Sequence, residues 1–350
     1  MGDDVKAAPA QRMTLRLVRV THTGLPATPT VANNFVKSTL FSPDGTQVLV
    51  TSCDRAARLY GCVEGRVRLR LQYECGEGIY DAAWFPSPHP AARCFVTSVR
   101  DHPLQLWDAD VRALRASYVP LDHACEPASA LSCAFSATGA RLFAGFENRV
   151  CIFDVAEPTA EPRSVTVYHR KFRPNGVQGL ISCFATQADT TYAVGSYSGG
   201  VGLLDERSDE HAIAVFHTAH AGGVTQLLFS PNGHYLFSGA RKDPLLICWD
   251  LRTQTPLCRF RRQSDTNQRL QFAVSASGQH LSTPSGRQVD VYDLLHGDLV
   301  TPVPCATHEF AAAVNSVSQH PLQPVLAVGT GERKPVADAE ANRVFLMAMQ

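Results

Sequence analysis

The chain has 350 residues, 45% of them apolar, and 32 Lys and Arg balance 32 Asp and Glu. This composition supports a folded core, and a net charge of zero projects no global field towards nucleic acid or a membrane, so any polyanion site has to be a local patch. No apolar run reaches the ~18 residues of a membrane-spanning helix, and the acidic opening MGDDVKAAPA lacks the apolar stretch of a secretion signal.

Residues 1–12 read as a short flexible tail, in which Lys6 stands where an N-myristoylation signal needs Ser or Thr. Residues 13–350 read as one domain, because a single pattern runs from end to end. Met13 to Val20, MTLRLVRV, alternates like a strand. Strands ending in an aromatic residue or Leu, mostly followed by Asp, then recur: Leu59-Tyr60, Leu106-Trp107-Asp108, Ile152-Phe153-Asp154, Leu203-Leu204-Asp205, Cys248-Trp249-Asp250, Val291-Tyr292-Asp293 and Val344-Phe345. The anchors at 60, 107, 153, 204, 249, 292 and 345 lie 43 to 53 residues apart, near the ~40–45 of WD-type repeats. Tight turns recur as SPDG at 42–45, SATG at 136–139, SPNG at 230–233 and SASG at 275–278. Six positions before the anchors stand Asp54, Asp101, Glu147, Ser198, Asp243 and Gly286.

The clearest unit is 223–252, with strands over Val224–Phe229, Tyr235–Ser238 and Leu245–Trp249 joined by turns at Ser230–Gly233 and Arg241–Pro244. Three short strands cannot bury both faces alone, so each unit needs neighbours of its own kind. The chain resembles an all-β, seven-bladed WD-repeat β-propeller. In that family one blade takes a strand from each terminus, and Met13 to Val20 would close the ring beside Val344–Leu346. The same resemblance implies a structural tetrad in the unit at 223–252: Asp243 to His220, His220 to Ser238, and Ser238 to the Trp249 indole.

The eleven Cys include no CxxC pair, and Cys94, Cys133, Cys151, Cys183 and Cys248 fall in predicted strands, as buried thiols of a reducing compartment do. His123-x-Cys125 near Cys133 is the one hint of metal and lacks a second close pair, so neither metal nor cofactor is expected. The strings GSYSG at 195–199 and GTGERK at 329–334 miss the nucleophile-elbow and P-loop patterns, HExxH is missing, and no enzyme is expected.

In a propeller the turn between second and third strands shares a face with the loop entering the first. Those second turns carry Arg55, Arg100, Arg149, Arg241 with Lys242, Arg287, and Arg333 with Lys334; SYSGG at 196–200 is the exception. The entering loops add Lys37, Arg173 and Arg269, with Phe35, Tyr80 and Phe172 nearby. Arg forks onto phosphate and stacks on bases, so one rim of a neutral protein is expected to suit loop or single-stranded RNA. The rival expectation is a protein-interaction platform, such as a ubiquitin-ligase or assembly adaptor, whose basic ring holds an acidic segment.

Longer strings carry a narrower likeness: NNFVKSTLFSPDG (33–45), GIYDAAWF (78–85), LQLWDADVRALRASY (104–118), GLISCFA (179–185), YAVGSYSGGVGLLDE (192–206), HAGGVTQLLFSPNGHYLFSGARKD (220–243), CWDLR (248–252) and TNQR (266–269). In these the chain resembles the telomerase Cajal body protein family. That resemblance implies a scaffold of the nucleus and Cajal body, with some cytoplasmic protein. It implies binding to the CAB box of small Cajal-body RNAs of the H/ACA and C/D classes, and to telomerase RNA in animals. It also implies a role in telomere maintenance, with H/ACA core proteins, telomerase subunits and a folding chaperonin as partners. By the same likeness Arg241, Lys242, Arg252 and Arg269 are candidate RNA contacts, in a monomer that touches no membrane. The long acidic, Pro-rich N-terminal region of animal members has no counterpart here.

Overall fold

The computed structural model describes residues 15–19, 34–63, 66–89, 92–121, 126–187, 190–207, 212–217, 220–296, 299–332 and 342–349. These form seven four-stranded antiparallel sheets, the blades of a β-propeller, numbered here one to seven by the anchors above. The first six follow chain order from the inner strand outwards. Blade five shows why the sequence folds so. Val224–Phe229 and Tyr235–Ala240 are joined by SPNG, in which Gly233 takes φ 71°. Leu245–Asp250 follows, then an outer strand Thr255–Arg261 that alternates exposed and buried residues over most of its length. The inner three strands are nearly continuous in buried residues, because both of their faces meet a neighbouring blade.

Closure is as expected. Leu15–Arg19 is the outer strand of blade seven, with Leu15 opposite Met349 and Arg19 opposite Leu346. Among the described residues, one apolar cluster lies between each pair of neighbouring blades, including the pair formed by blades seven and one through Val36, Val50, Ala327 and Leu346. The core is therefore a ring of seven inter-blade layers. Side-chain amides tie the inner strands together: Gln271 accepts from Thr39 N and donates to Thr39 O, and Gln226 does the same with Phe272.

The tetrad is formed. The Trp249 indole donates to Ser238 Oγ at 2.8 Å, Ser238 Oγ lies 2.8 Å from His220 Nε2, and His220 Nδ1 lies 2.8 Å from Asp243. An indole N–H only donates, so the serine hydroxyl is free to donate to Nε2 and the imidazole to donate from Nδ1. Blade one solves the same position differently: Asp54 and Ser52 hold Arg58, a guanidinium only 1% exposed. The buried Arg58 charge has its counter-charge in Asp54.

Candidate nucleic-acid interface

Each blade is a meander, so its hairpins alternate between the two ends of the ring. A recurrent backbone hydrogen bond pins the second turn to the loop that enters the first strand: Cys53 N to Phe35 O, Arg100 N to Gly78 O, Tyr197 N to Leu180 O, Arg241 N to Gly223 O and Gly331 N to Ala313 O. That end is the upper face. Arg55, Arg100, Arg149, Arg241, Lys242 and Arg287 all lie on it, whereas Arg333 and Lys334 fall outside the described residues, as do His123 and Cys125.

The cations of that face are not equivalent. Arg55 pairs with Glu77 at 3.3 Å, Arg100 with Asp101 at 3.4 Å, and Arg287 with Glu332 at 3.4 Å. Arg149 rests over the Phe146 ring and donates to Leu121 O, and Arg241 lies 4.5 Å from the Tyr197 ring centroid. Among the described residues no acidic partner meets Arg149, Arg241 or Lys242. Arg55 and Lys242 also hold left-handed backbone, φ 63° and 52°, in turns where blades four and six use Gly199 and Gly286. A left-handed conformation at a residue bearing a Cβ is disfavoured, so these turns spend stability on cationic side chains.

Two expected contacts are placed elsewhere. Arg252 follows the third strand, at the end of the ring shared with the SPNG turn, because Tyr235 opposes Asp250 in register. It is therefore on the face opposite Arg241, where it forks onto Asp250 at 3.0 and 2.7 Å. Arg269 is not on the rim either. It reaches into the axis and donates from Nη1 to Asp81 Oδ1 at 2.8 Å. The four candidate contacts are thus spread out: Arg241 and Lys242 stand at the mouth, Arg269 lies below them in the axis, and Arg252 is on the opposite face.

At the centre of the upper face opens a cavity of about 360 Å³. Every blade reaches it, among others through Ser38, Asp81, Leu131, Ser182, Thr225 and Asn315, and its wall includes the expected aromatics Phe35 and Tyr80. Phe35 is buried and structural, whereas Tyr80 is 42% exposed. Lys37 donates to Ile79 O at 2.6 Å, and burial pulls its ammonium below the usual lysine range although Cys53 and Asp81 oppose this. Burial likewise raises the Tyr197 phenol. For Arg269 burial works against the charge, yet Asp81 holds the guanidinium firmly protonated. Asp81 also accepts from Cys133 N at 3.2 Å. Among the described residues the buried Arg269 Nε and Gln268 Nε2 meet no hydrogen-bond partner. Asp81, Tyr197 and Gln268 escaped the motif reading; the signal for Asp81 was a lone carboxylate inside the apolar strand GIYDAAWF.

These features define a WD-repeat propeller with a cationic, aromatic-walled cup on one face. A model of the WD domain, G-beta repeat, matches residues 212–250, which is the blade with the complete tetrad. The chain is a homologue of the telomerase Cajal body proteins: it is 34% identical over 323 residues to "Telomerase Cajal body protein 1" of Homo sapiens, covering 87% of this chain and 58% of that protein. The "Telomerase Cajal body protein 1 homolog" of Drosophila melanogaster is 31% identical over 329 residues, with 87% and 58% covered. The "Guanine nucleotide-binding protein negative regulator 1" of Schizosaccharomyces pombe is 26% identical over 322 residues, with 84% and 78% covered. The chain spans less than two thirds of the length of the Cajal body relatives.

Proposed function

We propose that the chain is a ribonucleoprotein scaffold whose upper face holds an unpaired RNA loop, the CAB box of small Cajal-body RNAs of the H/ACA and C/D classes. The observation that carries this is the Arg241–Lys242 turn: two cations without an acidic partner among the described residues, one stacked on Tyr197, the other in left-handed backbone, at the lip of an axial cup. Phosphate contacts from such a turn supply affinity, and the aromatic wall supplies stacking for bases that leave the helix. Delivery of these particles to nuclear Cajal bodies and contact with telomerase belong to the same reading, supported by the names of the relatives; contact with H/ACA core proteins, telomerase RNA as a ligand and folding on a chaperonin extend it.

Ultraviolet cross-linking in cells, followed by nuclease treatment and sequencing, tests it. Guide RNAs of either box class as the dominant adduct support the proposal, and adducts without them reject it. A second reading has its own observation: Arg55, Arg100 and Arg287 are already paired with acids, which leaves less charge for a polyanion and suits a protein-interaction platform. A nuclease-resistant protein adduct as the main product selects that reading.

A further inference from the structure

On the face opposite the Arg241 turn, blades five and six enclose a cavity of about 230 Å³ between the SPNG turn and the turn at Ser277-Gly278. Phe237, Leu257, Leu294 and Leu299 give it apolar walls, and Cys248 and Cys258 are part of them. Cys248 stands on the third strand of blade five, Cys258 on the outer strand, and the register sets them opposite each other. Cα atoms directly opposed in an antiparallel pair lie about 4.5–5.5 Å apart, inside the ~4.4–6.8 Å that a disulfide spans. Both side chains join the cluster of Phe237, Phe260 and Tyr292, and their thiols are in hydrogen-bonding contact. Both are reduced. Among the described residues no other two Cys face each other in a strand register. The ladder is loose beside them. Leu257 is an extra residue between the pairs Cys248–Cys258 and Trp249–Pro256, and Pro256 has no N–H to donate. The outer strand is also largely exposed, so this edge of the blade can open locally at small cost.

We propose that Cys248 and Cys258 form a peroxide-reactive dithiol, which hydrogen peroxide converts into a reversible cross-strand disulfide. Cys258 is the attacking sulfur. The hydrogen bond from Cys248 holds its thiol below the usual value against burial, and the same bond keeps the proton on Cys248. Burial instead raises the thiols of Cys62, Cys94, Cys133 and Cys183, which leaves them the weaker nucleophiles. The apolar walls suit a small neutral oxidant and disfavour the bulky, charged disulfide of glutathione. In the first step the Cys258 thiolate attacks one oxygen of the peroxide. An S–O bond forms, the O–O bond breaks, and the hydroxide released takes up the proton that Cys258 gave to solvent. In the second step the Cys248 sulfur attacks the Cys258 sulfenic acid. An S–S bond forms, the S–O bond breaks, and the departing oxygen leaves as water with the Cys248 proton. Two thiols and one peroxide thus become one disulfide and two waters, and a dithiol reductant reverses the change by exchange. The site lies on the far side of the ring from the Arg241 turn and is independent of the RNA reading.

The reduced whole chain is treated with hydrogen peroxide in a time course, and the remaining thiols are alkylated. Peptide mass spectrometry then follows each cysteine, while circular dichroism confirms that the fold persists. The expected product is a Cys248–Cys258 cross-link, lighter by two hydrogens and removed by dithiothreitol. It is expected to form at least about tenfold faster than Cys94, Cys133 or Cys183 is oxidised. Cys248→Ser takes away the second sulfur, so Cys258 is expected to hold a sulfenic acid that dimedone traps. Cys258→Ser is expected to leave Cys248 reduced over the same time. Two thiols that stay open to alkylation while the folded chain oxidises elsewhere overturn the proposal. So does oxidation of Cys258 to a sulfinic acid in the unmutated chain without a cross-link. Equal rates at all buried cysteines overturn it as well, and the unmutated chain alone decides these outcomes if a variant fails to fold.

Discussion

Arg269 and Asp81, 188 positions apart, meet at 2.8 Å across the axis of the ring, linking the inner strand of blade two to the segment that enters blade six. Both residues line the cup. Removing the carboxylate leaves a largely buried guanidinium uncompensated. Asp81→Ala is expected to lower stability by about 3 kcal/mol, towards the low end of buried-pair values because the Arg269 side chain keeps 30% exposure. Urea denaturation checks it, and an unchanged midpoint would show that the pair is ornamental to the fold.

The tetrad makes acid stability predictable. Burial pushes the Asp243 carboxyl up, but hydrogen bonds from His220 and from the Leu245 and Ala221 amides outweigh this and hold it below the ordinary carboxylate range. Asp54 is held down in the same sense, against burial, by Arg58 and Ser52. A depressed folded value means the contribution is complete above the unfolded value of about 4 and is lost as pH falls through the lower folded value. Melting temperature is therefore expected to hold from neutrality to about pH 5 and to drop below about pH 4. Asp243→Ala leaves His220 without its partner, is expected to cost about 1–3 kcal/mol at neutral pH, and flattens part of the acid limb.

Charge reversal separates the two faces. Arg241→Glu with Lys242→Glu is expected to weaken RNA binding by at least about tenfold and to reduce the salt dependence by about 0.7 in log–log slope per lost phosphate contact. Melting should change little, because no ion pair of either residue with an acid holds the fold among the described residues. Arg252→Glu, on the far face and already on Asp250, is expected to leave affinity unchanged. Filter binding across a salt series measures all three, and equal losses from both faces would disprove the assignment of the site.

Ring closure can be opened deliberately. Deleting residues 15–19 strips the outer strand from Val344–Met349 and bares an unpaired edge. Exposed edges pair with other chains, so the truncated protein is expected to associate and to melt several degrees lower. Light scattering against the intact chain decides the matter; a monodisperse truncated ring would mean the strand is dispensable.

Much of this architecture was legible in the chain itself. Short strands ending in Tyr60, Trp107, Phe153, Leu204, Trp249, Tyr292 and Phe345 repeat because each blade presents the same inner faces to its neighbours. The tetrad was legible through the resemblance to WD repeats, which assigns His220, Ser238, Asp243 and Trp249 to it. The site was less so. Sequence gives the end of the ring on which a turn lies but not the direction of a long side chain. Arg269 read as a rim cation, yet it turns inwards because Asp81 waits there. Arg252 was grouped with Arg241 by the family likeness, although a strand of the blade separates them. Arg58 and Arg262 gave no signal of burial; Arg262, 4% exposed and bonded to the Ala240 and Leu270 carbonyls, is pulled down to about 10 by desolvation.

The pairing of Leu15–Arg19 with Val344–Met349 also dictates a timetable for biosynthesis. During translation the outer strand of the last blade emerges ahead of all the blades, and its partner leaves the ribosome after them. The nascent arc has to keep its leading segment unattached until then, since contacts this remote in sequence are slow to form. Completion of the circle in consequence waits for the last blade.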